Sequence, residues 1–273
     1  MFYKPKLEED ASASLVQIAG LVRFSYPCVG GFQKKGVQVY AARRMEERFK
    51  YFEALCLHSL CAQTDKDFSI GVLIGADMPA KYRERLEKLL LKLPQAQLIT
   101  LSPLPYAEAI RIAFKKLFIR GAPFHLSFRL DDDDAVATDF IANVRAKLPQ
   151  LFTLSGGLDP VGLSFLKGLT LIGAKPDRQL VASVDARPLG LGLCVMVPQS
   201  RQVNALMYQH QNLHMHMPVI MDPYPLMNLR AFHLSNDSEI KLPAGHPVAL
   251  GEGALRAALK KRFALDMNTV LAL

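Results

Sequence analysis

Residues 124–140 read FHLSFRLDDDDAVATDF, and this stretch decides the fold. Phe124 to Leu130 alternate and are rich in aromatics, the pattern of a half-buried β-strand. Asp131, Asp132, Asp133 and Asp134 begin where that strand ends. Two unit charges about 4 Å apart at an effective dielectric near 20 repel by roughly 4 kcal/mol. Adjoining carboxylates at a strand terminus therefore need solvent, protons or a cation. An all-oxygen ligand set suits Mg²⁺ or Mn²⁺, hard ions that leave positions for water and phosphate. The competing reading is an acidic loop capping the next helix. Capping uses one or two aspartates and does not call for a run of them after an apolar strand.

Outward from that segment, strand and helix alternate. LVQIAGLVRFSYP (Leu15 to Pro27) is an apolar first strand that stops at Pro27, ahead of Gly30 and Gly31. From Arg43 to Cys61, the spacing of Met45, Phe49, Phe52, Cys56 and Leu60 predicts an amphipathic helix, with Glu46 set four before Lys50. FSIGVLIG (Phe68 to Gly75) is a second strand, Pro79 to Leu93 a charged helix and QLITL (Gln97 to Leu101) a third strand. A helix from Pro105 then places Tyr106, Ile110, Phe114 and Leu117 on one face. This alternation implies βαβ crossovers and a mostly parallel sheet, whose ligands bind at the carboxyl ends of its strands. Beyond Ala135 we expect a helix from about Thr138 to Leu148, glycine-spaced apolar runs to Pro198 and a helix from Ser200 to about His214. A Pro-punctuated segment, MDPYPLMNLRAFHLSNDS, and a basic amphipathic helix from Gly251 follow. The second half reads as mixed strands and loops on the same sheet.

Composition sets outer limits. With 50% hydrophobic and 21% charged residues over 273 positions, the chain lies outside the disordered class. Gly and Pro, 17 each, follow no period, which removes collagen-like readings. Thirty-three Lys and Arg against 25 Asp and Glu leave a formal charge of +8, suited to anionic small molecules, anionic lipid or nucleic acid. Nucleic-acid binding predicts clustered Lys and Arg among stacking aromatics, whereas the strongest cluster here is acidic. Cys28, Cys56, Cys61 and Cys194 form no zinc-finger spacing and no disulfide framework, and they read as reduced thiols of a cytoplasmic protein. No signal peptide or apolar run of about 18 residues is expected.

Three metal-carboxylate architectures compete. Isoprenoid synthases carry DDxxD on a helix of an all-α fold, but this run follows a strand and has no downstream partner cluster. Haloacid-dehalogenase-type phosphatases use an aspartate after their first strand, where LVRFSYP has none. A GT-A nucleotide-sugar glycosyltransferase places its DxD motif at the end of the fourth strand, as here. LVRFSYP with GGFQ, FEALCLHSLCAQTDKDF, FRLDDDDAVATDF and LRAFHLSNDS together resemble the rhamnosyl transferase family of GT-A type, over most of residues 17–240. The resemblance implies transfer of a sugar, rhamnose by the family's name, from a nucleotide-diphosphate sugar donor with Mn²⁺ or Mg²⁺. The acceptor would be a glycan or a lipid-linked acceptor. We therefore expect a single α/β GT-A-like domain over 1–273. Residues 15–134 form its nucleotide-sugar-binding half, 135–240 its acceptor half and 241–273 a basic helical tail. Alternatives are a catalytically inactive sugar-nucleotide binder and a basic nucleic-acid-binding protein.

Within a strand the side-chain period is two, so Asp131 and Asp133 project alike if the extended geometry persists across the motif. Asp133 is assigned to the metal, and Asp131 to the donor ribose or to the metal through water. Asp132 joins the donor-binding set, and it and Asp134 back the first pair or cap. Arg23 and Ser25, at the end of the first strand, lie where such folds hold the nucleotide, or else form an edge salt bridge and a turn hydroxyl. His233 stands where many GT-A enzymes supply a late metal ligand, with Asn236, Asp237 and Ser238 nearby, or else is a core residue. An inverting transferase needs a carboxylate base outside the metal cluster. Asp222 is the first candidate and Asp185 the second, and ordinary turn chemistry would explain either. His210, His214 and His216 offer zinc no carboxylate or thiolate partner. GGFQKKG lacks the P-loop ending. The tail helix, with Arg256, Lys260, Lys261 and Arg262 beside Leu255, Leu259 and Phe263, either docks on the domain or makes peripheral membrane contact.

Overall fold

The computed structural model describes residues 15–29, 38–118, 121–173, 176–233 and 245–273. GGFQKKG and the Asn236 to Ser238 segment lie outside the described residues. The first half follows the expected alternation. Strands β1 (Val16–Arg23), β2 (Ser69–Gly75), β3 (Ala96–Leu101) and β4 (Phe124–Asp131) pair in parallel, with β1 between β2 and β4. Gly20 lies opposite Phe128 in the β1–β4 register, and a Cβ there would come within 2.2 Å of the Phe128 ring. The glycine is required by this close approach.

The first crossover is a continuous helical rod: α1 (Ala42–Tyr51), a π-helical stretch (Phe52–Leu57) and α2 (His58–Cys61). Met45, Phe49, Phe52, Cys56 and Leu60 are all buried, as the spacing predicts. Glu46 does not pair with Lys50; its carboxylate takes Arg85 at 2.7 Å, from α3 (Ala80–Leu90). Helix α4 (Tyr106–Leu117) covers the other face of the sheet.

Past β4 the chain turns, and Asp134 N–H donates to the Asp131 carbonyl. It then forms the short β5 (Ala135–Val136) before α5 (Phe140–Ala146) begins. The aspartate run caps no helix: α5 starts at Asp139, whose side chain makes no cap hydrogen bond. Helix α6 (Leu148–Ser155) continues from α5, carrying Pro149 in its first turn and ending at Gly156 with φ 58°. Strands β6 (Val161–Ile172), β7 (Gln179–Val184) and β8 (Cys194–Pro198) extend the sheet, with β7 and β8 each antiparallel to β6 and β8 also antiparallel to β4.

The helix expected from Ser200 to His214 is not formed. Residues 200–209 are irregular, followed by a 3-10 turn (His210–Met215). The Asn204 side chain accepts from Leu206 N–H at 3.0 Å, and the Ser127 hydroxyl accepts from Ala205 N–H at 2.9 Å. These local and tertiary bonds hold the backbone out of a helix. The Pro-punctuated segment is instead the long strand β9 (Val219–Ala231), parallel to β6 and edged by β5. Pro223 and Pro225 fall where the β6–β9 register shifts, so their missing N–H groups interrupt no regular ladder. Strand β10 (His246–Val248) closes the far edge on β7.

The tail docks. Helix α7 (Glu252–Ala258) runs through a π-helical turn (Leu259–Phe263) before α8 (Met267–Leu271). Leu255, Leu259 and Phe263 are buried in the main core, and the Arg262 guanidinium grips both Asp139 oxygens at 2.7 Å. The apolar stripe that membrane contact would use is therefore spent on the core. No helix among the described residues is long and apolar enough to cross a membrane.

Candidate active site

The carboxyl ends of β1 and β4 meet at one cross-strand pair, Arg23 opposite Asp131. Their side chains approach to 3.5 Å, and Arg129, two residues before Asp131 and so on the same face, reaches it at 3.4 Å. Burial would raise the Asp131 pKa, but Arg129, Arg23 and Arg230 outweigh it and hold the carboxyl ionised, far below the usual carboxylate range. The Asp131 side chain keeps 35% of its surface exposed, so this group faces the cleft. Arg23 also lies over the Tyr106 ring, 5.2 Å from its centre. Burial alone would lower the Arg23 pKa, yet Tyr106 and Asp131 raise it.

Ser25 follows at the end of β1 with φ 50°, a left-handed conformation that costs a non-glycine residue about 1–3 kcal/mol and concentrates at functional sites. Its buried hydroxyl has no hydrogen-bond partner among the described residues. Arg23, Ser25 and Asp131 are thus gathered at one strand end.

The run turns after Asp131 and does not alternate, and its other three carboxylates are buried. Asp132, expected among the donor-binding groups, is 2% exposed and pairs with buried Arg48 of α1. Asp134 accepts from Ala231 N–H at 3.1 Å, and burial together with the Asp133 charge pushes its pKa well up, against Arg230. Asp133 meets His233, whose Nε2 lies 3.0 Å from its Oδ2. The other imidazole nitrogen is 3.8 Å from Glu47, and the ring stacks on Tyr51 at 4.1 Å. Tyr51 is the last residue before the π-helical stretch of the α1 rod, a feature common at functional sites.

The two candidate bases are separated by the fold. Asp222 is buried, bonded to Lys147 at 2.7 Å and to Tyr224 N–H at 3.1 Å. Its partner in β6 is Phe165, whereas that of Ala231 is Leu171. At 3.3 Å per residue, Asp222 stands roughly 20 Å along the strand from the His233 end. Asp185, just past β7, is half-buried; burial raises its pKa while Arg230 opposes the rise, which puts it within the field of the cleft. His210 has joined the same field. Burial, Arg129 and Arg230 lower its pKa to about 4, and a Cβ on Gly190 would touch both His210 and Arg129. The imidazole is neutral at pH 7.

Sequence reasoning missed Arg129, Arg230, Arg48, Glu47, Tyr51 and His210 as members of this constellation. Arg48 had a signal: it falls on the apolar face of α1, three after Met45 and one before Phe49. Arg129 had one too, sharing a strand face with Asp131. Arg230 had none, because its neighbours are set by the β6–β9 register.

A cluster of charged side chains at the carboxyl ends of parallel strands, in an α/β sheet with an antiparallel strand inserted beside β4, lies where such sheets bind their ligands. The chain belongs to the family described as "Putative rhamnosyl transferase", whose profile matches residues 17–245. No curated protein matches it. Among solved structures it is similar to S. aureus TarS 1–349 in complex with UDP-GlcNAc, at 14% identity and TM-score 0.46, covering 80% of this chain and 59% of that one. It is also similar to GalNAc-T7 with UDP, GalNAc and Mn²⁺, at 14% identity and TM-score 0.35, covering 57% and 24%. The chain spans about three-fifths of the TarS fragment.

Proposed function

We propose that this protein is a glycosyltransferase that binds a nucleotide-diphosphate sugar at the carboxyl ends of β1 and β4. The observation that carries the reading is the charge arrangement at Asp131. The guanidiniums of Arg23 and Arg129 lie 3.5 and 3.4 Å from one ionised carboxylate, and the charge of Arg230 also acts on it. The surplus positive charge suits a diphosphate, for which arginine forks are the preferred partners. Ser25, with its orphaned hydroxyl beside Arg23, is placed for the nucleoside.

Asp133 and His233 fit a divalent cation. Among the described residues no three His, Cys, Asp or Glu converge as a complete metal cage. Two donors nevertheless suffice for Mg²⁺ or Mn²⁺, which take one or two protein ligands and complete their shell with water and substrate phosphates. Asp133 and His233, hydrogen-bonded to each other at 3.0 Å, are the side chains that would hold such an ion. A bound cation would supply charge neutralisation for the departing nucleoside diphosphate.

Asp185 is the proposed base. It is the candidate carboxylate in the field of Arg230, and its raised pKa brings it toward the range in which a general base works. It would take the proton of the acceptor hydroxyl as the sugar is transferred. Rhamnose as the sugar follows the family description, and a glycan or lipid-linked glycan supplies the hydroxyl. The test is a panel of nucleoside diphosphates in thermal denaturation, with and without Mn²⁺. At least one should raise Tm, more so with the ion. No response to any of them would overturn the reading.

A further inference from the structure

At the amino end of β4, away from the cleft just described, a cavity of about 310 Å³ opens between α4 and the loop after β8. His125 of its lining and Asp131 are six residues apart on β4, roughly 20 Å at 3.3 Å per residue. Three cations rim it: Arg111 and Lys115, one turn apart on α4, and Arg201 on the facing loop. Among the described residues, none in the wall is acidic. Arg111 and Lys115 form no ion pair among the described residues, and Arg201 reaches only the exposed Asp159 at 3.6 Å. Like charges at i and i+4 oppose helix formation, so this rim is set against its own repulsion. The interior is apolar on one side, where Phe118 stacks on His125 at 4.0 Å, and amide-lined on the other by Gln199 and Gln202. The buried Nε2 of His125 has no hydrogen-bond partner among the described residues. The far wall is preformed, since Gln199 N–H donates to the Pro123 carbonyl and Arg201 N–H to the Pro198 carbonyl, both at 2.9 Å.

We propose that this cavity is a second binding site, for a phosphate monoester whose organic body rests on the Phe118–His125 side. Paired cations without acids call for a dianion, and two arginines among them favour the planar, forked recognition that phosphate allows. The amides and the orphaned imidazole nitrogen serve the polar groups of the body. The size is at the lower end of small-ligand pockets, which fits a single ring with its phosphate. A phosphate monoester has two sources, a soluble metabolite or the headgroup of a phosphatidic-acid-like lipid.

Calorimetric titration with a nucleoside 5′-monophosphate, a sugar monophosphate and phosphatidic acid vesicles distinguishes them, using the full chain and the charge-reversed Arg111→Glu/Lys115→Glu and Arg201→Glu variants. Arg111, Lys115 and Arg201 are exposed, and circular dichroism verifies that the variants remain folded. At least one probe should bind the wild type saturably, lose at least tenfold in affinity in both variants, and keep its affinity in Asp133→Ala. A response confined to the vesicles and lost in the variants assigns the monoester to a lipid. Binding that the variants retain, or that only Asp133→Ala removes, overturns the second site while leaving the proposed transferase standing. So does the absence of binding by every probe.

Discussion

His233 Nε2 and Asp133 Oδ2 lie 3.0 Å apart although a hundred residues separate them in the chain. The contact ties the end of β9 to the turn after β4, and the proposed cation would draw on this pair. Mn²⁺ with a nucleoside diphosphate should raise the Tm of the wild type and fail to do so in Asp133→Ala. His233→Ala should reduce the response without abolishing nucleotide binding. Differential scanning fluorimetry decides this, and an undiminished response in Asp133→Ala would sink the metal assignment.

The three guanidiniums whose charge acts on Asp131 make separate claims on the donor. Arg129→Gln and Arg230→Gln should each weaken nucleoside-diphosphate affinity about tenfold or more, as expected for loss of a charge-assisted contact. Asp131→Asn should cost less affinity for the diphosphate, because it removes a negative charge from the same cluster. Equilibrium binding in constant salt gives the comparison, and unchanged affinity in both arginine variants would remove the clamp.

Asp185 and Asp222 are told apart by kinetics and stability together. Asp185→Asn should lower turnover by about 10²-fold or more, with donor affinity near wild type. Asp222→Asn should leave turnover near normal. Its measurable effect should be a loss of about 1–2 kcal/mol in urea denaturation, because Lys147 then loses its carboxylate partner. The opposite pattern would restore Asp222 to the chemistry.

Arg262→Ala tests the docking of the tail. The guanidinium grips Asp139 with two bonds of 2.7 Å and donates to the Leu226 carbonyl at 3.1 Å. Its loss should destabilise by about 1–3 kcal/mol, with little change in donor binding. A variant as stable as the wild type would show that the apolar stripe alone holds the tail.

Asp65 predicts a pH dependence away from the cleft. Burial would raise its pKa, but hydrogen bonds from Arg145 and from Asp67 N–H lower it overall. A carboxylate with a depressed folded-state pKa contributes stability that is complete above its unfolded value near 4 and fades as pH falls through the folded value. Asp65→Asn should therefore lower stability at pH 7 by about 1–2 kcal/mol and flatten the acid limb below about pH 4. Denaturation at a series of pH values reads this directly, and parallel curves would exclude the contribution.

What the sequence determined by itself was whatever is written in neighbouring residues. The alternation in FHLSFRL, the three- and four-residue spacing from Met45 to Leu60 and the abrupt charge of Asp131 to Asp134 are local. They were enough for the parallel half of the sheet, its crossover helices and the end of it that carries charge. A period of two did not carry through the aspartate run, because the chain turns after Asp131 and buries Asp132, Asp133 and Asp134 alike. Tertiary structure decided the rest, because the deciding contacts join segments whose relative register no local pattern encodes. Asn204 and Ser127 hold residues around Leu206 out of the helix that their spacing suggests. Lys147 pairs with Asp222 at 2.7 Å. The β6–β9 pairing, shifted around two prolines, brings Arg230 toward Asp131 and carries His233 to Asp133. Charges come together in a fold through strand pairing and helix docking across long stretches of chain, and their energies depend on burial that only the assembled sheet creates.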